Sequence, residues 1–532
     1  MKEPTRHLAR LGATALAAAL TLGAMTASAQ TRGGTAVIAI SGEPGSIVGF
    51  LHTDTGGHNI AANLFSRLID YNEKFEPVPE LAKSWDISAD GLTYTFKLNE
   101  KATFHDGKPV TAADCEYSFE QVIALHHPSR GSWWPNVEDT KAVDPHTFVI
   151  QLKKPFPPLL DLLAYGLRSG AYCLPKHLYE GTDVVKNPVN ERPVGSGAFK
   201  FKEWVKGSHV ELVRNENYFM AGKPYLDRLI IQFVPDANTR ILGFERGEID
   251  FIDYTAVPHN EVKRLAADPR FQLYAGMDAI GVQGMWLLNL RHEILKNKQV
   301  RQALSYAIDV DEASAKALFG AGRPAYSFIN QNLQKFYTAE HYRYARDVAK
   351  ANKMLDDAGF KRGTDGTRFK LNILWAAGRP YDGKAAEVVR DHLRDVGVVA
   401  EVQTFDRPTF IDKVFRNWEF DTAMQLYSTG PDPAISVVTR YHTKQINKAP
   451  FTNAMGYSNP ALDTLFDNDA SETDPKKRKD SWNEAQRILM EDLPAIPIFE
   501  LPDGHLANAK LKGMVTGPYG YFQSRHNAWL AK

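Results

Sequence analysis

Short apolar runs bounded by glycines and polar loops recur along the chain and predict strands. Residues 34–40, Gly34-Thr35-Ala-Val-Ile-Ala-Ile40, read as a buried strand entering the turn-rich loop 41–46. Residues 93–98 alternate, with Tyr94, Phe96 and Leu98 on one face and Thr93, Thr95 and Lys97 on the other. That period of two predicts a half-buried strand. Residues 209–213 and 229–234 predict two more. In the second half the period changes and changes back. Phe369, Leu371, Ile373 and Trp375 alternate with Lys370 and Asn372, then Ala386, Val389, Leu393 and Val396 recur at helical spacing up to Gly397. Val398, Ala400 and Val402 alternate again. Strand, helix and strand in so short a stretch form a βαβ unit, whose strands are parallel neighbours. Residues 420–427 predict a further strand.

In open α/β sheets the ligand sits beyond the carboxyl ends of the strands. Two loops therefore become candidates: 376–381, containing Arg379-Pro380-Tyr381, and 428–433, containing Asp432-Pro433. Both should open on one edge of the sheet. The Arg379 guanidinium suits an anionic group because its fork matches a carboxylate, and Asp432 can take a cation. A solvated loop arginine and a turn or helix-cap aspartate are the plainer alternatives. Among the aromatics, Trp133, Trp134, Trp286, Trp375 and Trp418 fall near loops or strand ends where they can line a cleft.

Length and charge narrow the class. A chain of 532 residues exceeds one ordinary core and predicts two or more domains. Lys+Arg and Asp+Glu are both 63, without long runs of one sign, so no nucleic-acid partner is expected. Residues 1–29 combine Lys2, Arg6 and Arg10 with an apolar stretch and Ala27-Ser28-Ala29. This reads as a signal peptide cleaved before Gln30, giving a soluble exported protein, periplasmic in a two-membrane host, with no membrane insertion. Cys115 and Cys173 have no metal-site spacing. An exported protein can join them, but two buried free thiols are the reading preferred here. Residues 111–114 have the spacing of a capping box. The Gly195-Ser196-Gly197 run lacks the spacing of a nucleophile elbow and reads as a tight turn before a strand. His52/His58 and His126-His127 form no metal-ligand pattern and read as surface or turn histidines. No catalytic constellation, cofactor or metal is expected.

Several ordered segments carry a resemblance to a known family. They are Leu81-Ala-Lys-Ser-Trp-Asp-Ile-Ser-Ala-Asp-Gly-Leu-Thr-Tyr-Thr-Phe-Lys-Leu98, Phe104-His-Asp-Gly-Lys-Pro-Val-Thr-Ala-Ala-Asp114, Pro193-Val-Gly-Ser-Gly-Ala-Phe199, Gly222-Lys-Pro-Tyr-Leu-Asp227, Val234-Pro-Asp-Ala-Asn-Thr-Arg240, Gly247-Glu-Ile-Asp250 and Lys298-Gln-Val-Arg-Gln-Ala-Leu-Ser-Tyr-Ala-Ile-Asp309. Together they resemble the family 5 extracellular solute-binding proteins of ABC importers, the dipeptide/oligopeptide type. The resemblance implies an α/β, two-lobed periplasmic binding protein fold with hinge strands and an extra subdomain in the first lobe. The expected division is a signal peptide at 1–29, lobe one at 30–284 completed by 502–532, and lobe two at 285–501.

The implied function is capture of a peptide-like or other carboxylate-bearing small solute between the lobes, and delivery to the transmembrane subunits of an ABC permease. The chain is expected to be a monomer and not an enzyme. An opine, a sugar or a nickel complex is the alternative ligand, and an exported hydrolase the more distant alternative function. In dipeptide binders of the family an R-P-Y loop supplies the arginine for the ligand carboxylate, and Arg379-Pro380-Tyr381 matches it. The aspartate that holds the ligand amine there aligns with Thr429 or Gly430, so recognition of a free amine is left open. The candidate ligand-binding residues are Arg379, Tyr381, Asp432, Thr429, Trp286 and Trp375.

Overall fold

A computed structural model describes residues 30–253, 256–274, 281–377, 379–501 and 504–532. The expected signal peptide, 1–29, lies outside the described residues. Two sheets organise the chain. The first has seven strands in the order Phe271–Tyr274, His505–Asn508, Phe251–Ile252, Thr35–Ile40, Arg228–Phe233, His209–Arg214, Phe199–Val205. The apolar run at 34–40 sits inside this sheet, parallel to Arg228–Phe233 and to Phe251–Ile252. Ala36, Ile38, Ala39 and Ile40 are buried and Thr35 and Val37 partly so, which explains why the run carries little polar alternation.

The second sheet has six strands: Arg323–Pro324, Ala495–Glu500, Val282–Leu288, Thr422–Ser428, Phe369–Ala376, Val398–Phe405. The βαβ unit forms as its periods predict. Phe369–Ala376 runs parallel to Val398–Phe405, in register from Phe369↔Val398 to Ala376↔Phe405, with the helix Pro380–Asp395 between them. Thr422–Ser428 is parallel on the other side. The loops that follow Ala376 and Ser428 therefore open on the same sheet edge.

The chain passes between the sheets twice, between Tyr274 and Val282 and between Glu500 and His505. Each sheet has its own buried core, centred on residues such as Ile38, Phe65 and Leu229 in one and Trp286, Leu304 and Ile373 in the other. The C-terminal stretch returns to the first core through Leu511, Met514, Tyr519 and Phe522. A four-stranded antiparallel sheet, Ala82–Ile87, Thr93–Leu98, Thr147–Leu152, Val137–Asp144, is inserted into the first lobe and shares its core. Tyr94, Phe96 and Leu98 are buried there, on one face, as the alternation requires.

Two expectations are corrected. Cys115 and Cys173 are joined by a disulfide, with Cα atoms 4.3 Å apart, and are not free thiols. The reason is local scaffolding that spacing cannot show. The capping-box carboxylate of Asp114 accepts from Thr111 N–H at 2.9 Å and from Lys176 N–H at 3.1 Å. The Ser118 hydroxyl accepts from Leu174 N–H at 2.7 Å. Both bonds clamp the segment around Cys173 to the helix Ala112–Tyr117. The second correction concerns histidines: His58 and His127 are buried, not surface residues. Burial pushes His58 down to about 3, so it stays neutral. The turn at 195–197 is tight, since a Cβ on Gly195 would lie 1.9 Å from the Leu64 carbonyl oxygen.

Candidate ligand-binding site between the lobes

Where the strand Phe369–Ala376 ends, Pro380 opens the helix Pro380–Asp395 with Arg379 at its N-cap. Proline suits this first position because its missing N–H has no partner to lose there. The loop thus delivers Arg379 and Tyr381 to the sheet edge, where they line a cavity of about 640 Å³. Lobe one closes the other side with Arg240, Val257 and His259. The volume is that of an ordinary small-molecule site. Across the gap the His259 and Tyr381 rings lie 5.3 Å apart, and Tyr381 meets Phe499 edge-on at 6.1 Å. A small solute here would touch both lobes.

The electrostatics favour an anion. Arg379 is mostly buried, and its Nη1 has no hydrogen-bond partner. The nearest carboxylate, Asp382, is 3.8 Å away and 1% exposed, and neither of its oxygens accepts a hydrogen bond. Burial pushes Asp382 up to about 7, opposed by Arg379 and by Arg407. Burial holds the lining His259 down at about 4, so it is neutral near pH 7. The Arg240 guanidinium is tied inward, donating from Nε to the Ala256 carbonyl at 3.0 Å and from Nη1 to Pro235 at 2.8 Å. Arg379 thus brings to the cavity a cationic group with a donor that makes no hydrogen bond, beside the positive end of a helix.

The other sequence candidates lie elsewhere. Asp432 is fully buried and faces Arg478, which donates from Nη1 at 2.7 Å and from Nη2 at 3.0 Å. It also accepts from Ala434 N–H at 2.9 Å, capping the helix Pro433–Tyr441. The cation that Asp432 takes is internal, because a buried carboxylate is stable only when paired and fully hydrogen-bonded. Thr429 is buried too. Its hydroxyl accepts from Asn330 N–H at 3.1 Å and its N–H donates to Gly281 at 3.0 Å, which ties the loop to neighbouring backbone. Trp286 is 0% exposed in the core of the second lobe. Trp375 is half-buried against the first turn of the helix, where a Cβ on Gly383 would come within 2.7 Å of its ring. None of these four lines the cavity.

Asp382, Arg407 and His259 were not singled out by sequence. Asp382 had a signal, an acid three residues past Arg379, but acids are common in first helical turns. His259 comes from lobe one, far away in the chain, and had none.

Two α/β lobes with a cavity between them, poised for an anion and reached from both sides, define a binding protein that closes around a small solute. Known proteins place it more narrowly. The sequence profile of the bacterial extracellular solute-binding proteins, family 5 Middle, matches residues 76–449. The oligopeptide-binding protein AppA of Bacillus subtilis is 28% identical over 526 residues, covering 95% of this chain and 93% of its own. Its structure in complex with a nonapeptide superposes with a TM-score of 0.76 at 26% identity, covering 94% of this chain and 100% of AppA. The ABC transporter substrate-binding protein CtaP of Listeria monocytogenes superposes with a TM-score of 0.82 at 26% identity, over 94% and 100% of the two chains. NikZ of Campylobacter jejuni, solved with Ni(L-His), gives 0.76 at 26% identity, over 93% and 99%. This chain belongs to the family 5 solute-binding proteins of ABC importers. Its fold is the two-lobed periplasmic binding protein fold, and its work is to bind a solute for such an importer. No helix among the described residues is long and apolar enough to cross a membrane.

Proposed function

We propose that the protein captures a peptide-like or other carboxylate-bearing solute in the cavity at Arg379 and Tyr381, and presents it, chemically unchanged, to the transmembrane subunits of an ABC permease. The lobes, 30–284 with 502–532 and 285–501, close about the two crossings as ligand shifts the population toward the closed state. The exported form starts at Gln30 and works as a soluble monomer, in the periplasm of a two-membrane host. The observation that carries this reading is Nη1 of Arg379, which makes no hydrogen bond, at an interlobe cavity of about 640 Å³. The nonapeptide of AppA supports a peptide, and the Ni(L-His) of NikZ keeps a metal–amino-acid complex as the second reading.

The test pairs ligand identification with one substitution. Protein purified from its own host is denatured, released solutes are identified by mass spectrometry, and the solute is titrated back by calorimetry. Truncating one partner of a buried charge-assisted pair costs about 2–5 kcal/mol, or roughly 30- to 5,000-fold in affinity. Arg379→Ala should lose that much with its thermal unfolding unchanged. A loss below threefold refutes the anchor.

A further inference from the structure

We infer that the solute carries a bulky apolar side chain beside its carboxylate, an aromatic one above others, and that Phe319 is the ring against which this side chain packs. The inference rests on the carboxylate-anchor reading above and adds a second point of contact to it. Phe319 lines the same cavity as Arg379 and Tyr381. It is 63% exposed, the highest value of any large apolar side chain among the described residues. Single exposed apolar residues are ordinary on a protein surface, so exposure by itself says little. The backbone that presents this one says more.

The helix Val310–Ala317 ends in a hydrogen-bonded cap. Leu318 N–H donates to the Ser314 carbonyl at 3.0 Å, and Gly320 N–H reaches back to the Ala315 carbonyl at 2.8 Å. The second bond is that of a Schellman cap, in which the residue after the cap is left-handed and is usually glycine. Phe319 holds that place, with φ 53°. A side chain there crowds its own backbone, and glycine would close the helix without that cost. The ring recovers nothing inside the fold. Leu318 takes the buried position, and Phe319 belongs to none of the three buried cores among the described residues.

The turn also meets the first lobe. A Cβ on Gly320 would lie 2.6 Å from Nζ of Lys263, in the helix His259–Ala266, and Ala321 packs against the small first-lobe core around Phe244 and Leu265. Phe319 therefore stands at the seam that a bound solute bridges. Its surroundings select the chemistry. Val257, Val282, Leu426 and Leu501 line the cavity with it, which gives an apolar side chain its wall. A cation over the ring would be repelled by Arg240 and Arg379, which line the same space. An apolar side chain removes both itself and the ring from water, and an aromatic one adds an offset or edge-on contact.

Three dipeptides, Ala-Ala, Ala-Phe and Phe-Ala, are titrated by calorimetry into the parent, Phe319→Gly, Phe319→Asn and Arg379→Ala. The parent should bind at least one of the aromatic pair tenfold or more tighter than Ala-Ala. Glycine and asparagine both accept a left-handed backbone. Each should shrink that preference to within threefold, with Ala-Ala affinity changed less than threefold. Thermal unfolding of Phe319→Gly should stay level or rise, because glycine suits the cap. An absent aromatic preference in the parent, or a preference kept by either variant, overturns the inference. A Tm lowered by more than about 4 °C in Phe319→Gly, the mark of lost packing in a lobe of this size, overturns it too. Arg379→Ala should weaken all three dipeptides. An Arg379→Ala that stays within threefold refutes the carboxylate anchor, whereas weakened binding with an unchanged preference at 319 refutes only the aromatic contact. If the parent binds none of the three, the peptide-like reading is refuted, and this inference falls with it.

Discussion

Replacing Asp432 by alanine separates a folding role from a ligand-binding one. The carboxylate takes two hydrogen bonds from Arg478 and one from Ala434 N–H, all out of solvent. Removing one partner of a buried ion pair costs about 3–5 kcal/mol, chiefly because the other charge is left uncompensated. Here Arg478 keeps a second carboxylate, Asp469, at 2.9 Å from Nη2 and 3.2 Å from Nε, which places the loss at the lower end. The helix cap adds about 1 kcal/mol, and the two terms overlap because both lie in one network. A net loss of about 3 kcal/mol follows. For a lobe of 150–250 residues each kcal/mol moves Tm by about 2–4 °C, so the transition of the second lobe should fall by roughly 6–12 °C in differential scanning calorimetry. Ligand affinity at 20 °C, well below that transition, should stay within about threefold of the parent. Asp432→Asn should lose less, since asparagine caps a helix well and can still accept from Arg478. A Tm within 2 °C of the parent, or lost binding with unchanged stability, would show that Asp432 serves the ligand instead.

Other consequences are independent of that network. The Cys115–Cys173 link closes a loop of sequence separation 58, for which chain entropy gives about 4 kcal/mol as an upper figure. The double serine variant should lose about 2–4 kcal/mol in denaturant titration, and a loss below 1 kcal/mol would show that the link contributes little. Lys335 reaches from the second lobe to Asp161 in the first at 3.4 Å, with its side chain 45% exposed. A pair that accessible is worth about 0–1 kcal/mol, so Lys335→Ala should raise the open fraction of the unliganded protein up to about fivefold. A small-angle scattering radius identical to the parent's at low salt would refute the latch. Burial, with Lys223 and Arg67 nearby, holds His526 down at about 3. The unfolded chain therefore binds the extra proton below about pH 6.5, and stability present above that pH is lost as pH falls, by up to about 1.4 kcal/mol per unit. His526→Asn should flatten the acid limb of the stability curve relative to the parent, and parallel limbs would exclude this histidine as a cause.

The strands 35–40 and 93–98 and the whole βαβ unit from Phe369 to Phe405 could be read directly from residue order. Their periods are local, and each period admits one backbone that buries its apolar face. Parallel pairing and the sheet edge on which Arg379 opens followed from that unit alone, because a strand, a helix and a second strand have one favoured handed connection. Other features depended on partners distant in the chain. Trp286 and a cleft-lining tryptophan look identical in sequence, since an apolar ring suits a core and a cavity equally. Asp432 is the same acidic residue in a loop or in a core, and only the approach of Arg478, 46 residues on, places it in a buried ion pair. Cys173 met Cys115 because Asp114 and Ser118 hold its neighbours by backbone hydrogen bonds that no spacing encodes. The pairing of His259 with Tyr381 required the two lobes to face each other. Residue order settles what each segment can form by itself, whereas burial and charge balance belong to contacts that exist only once the lobes are packed.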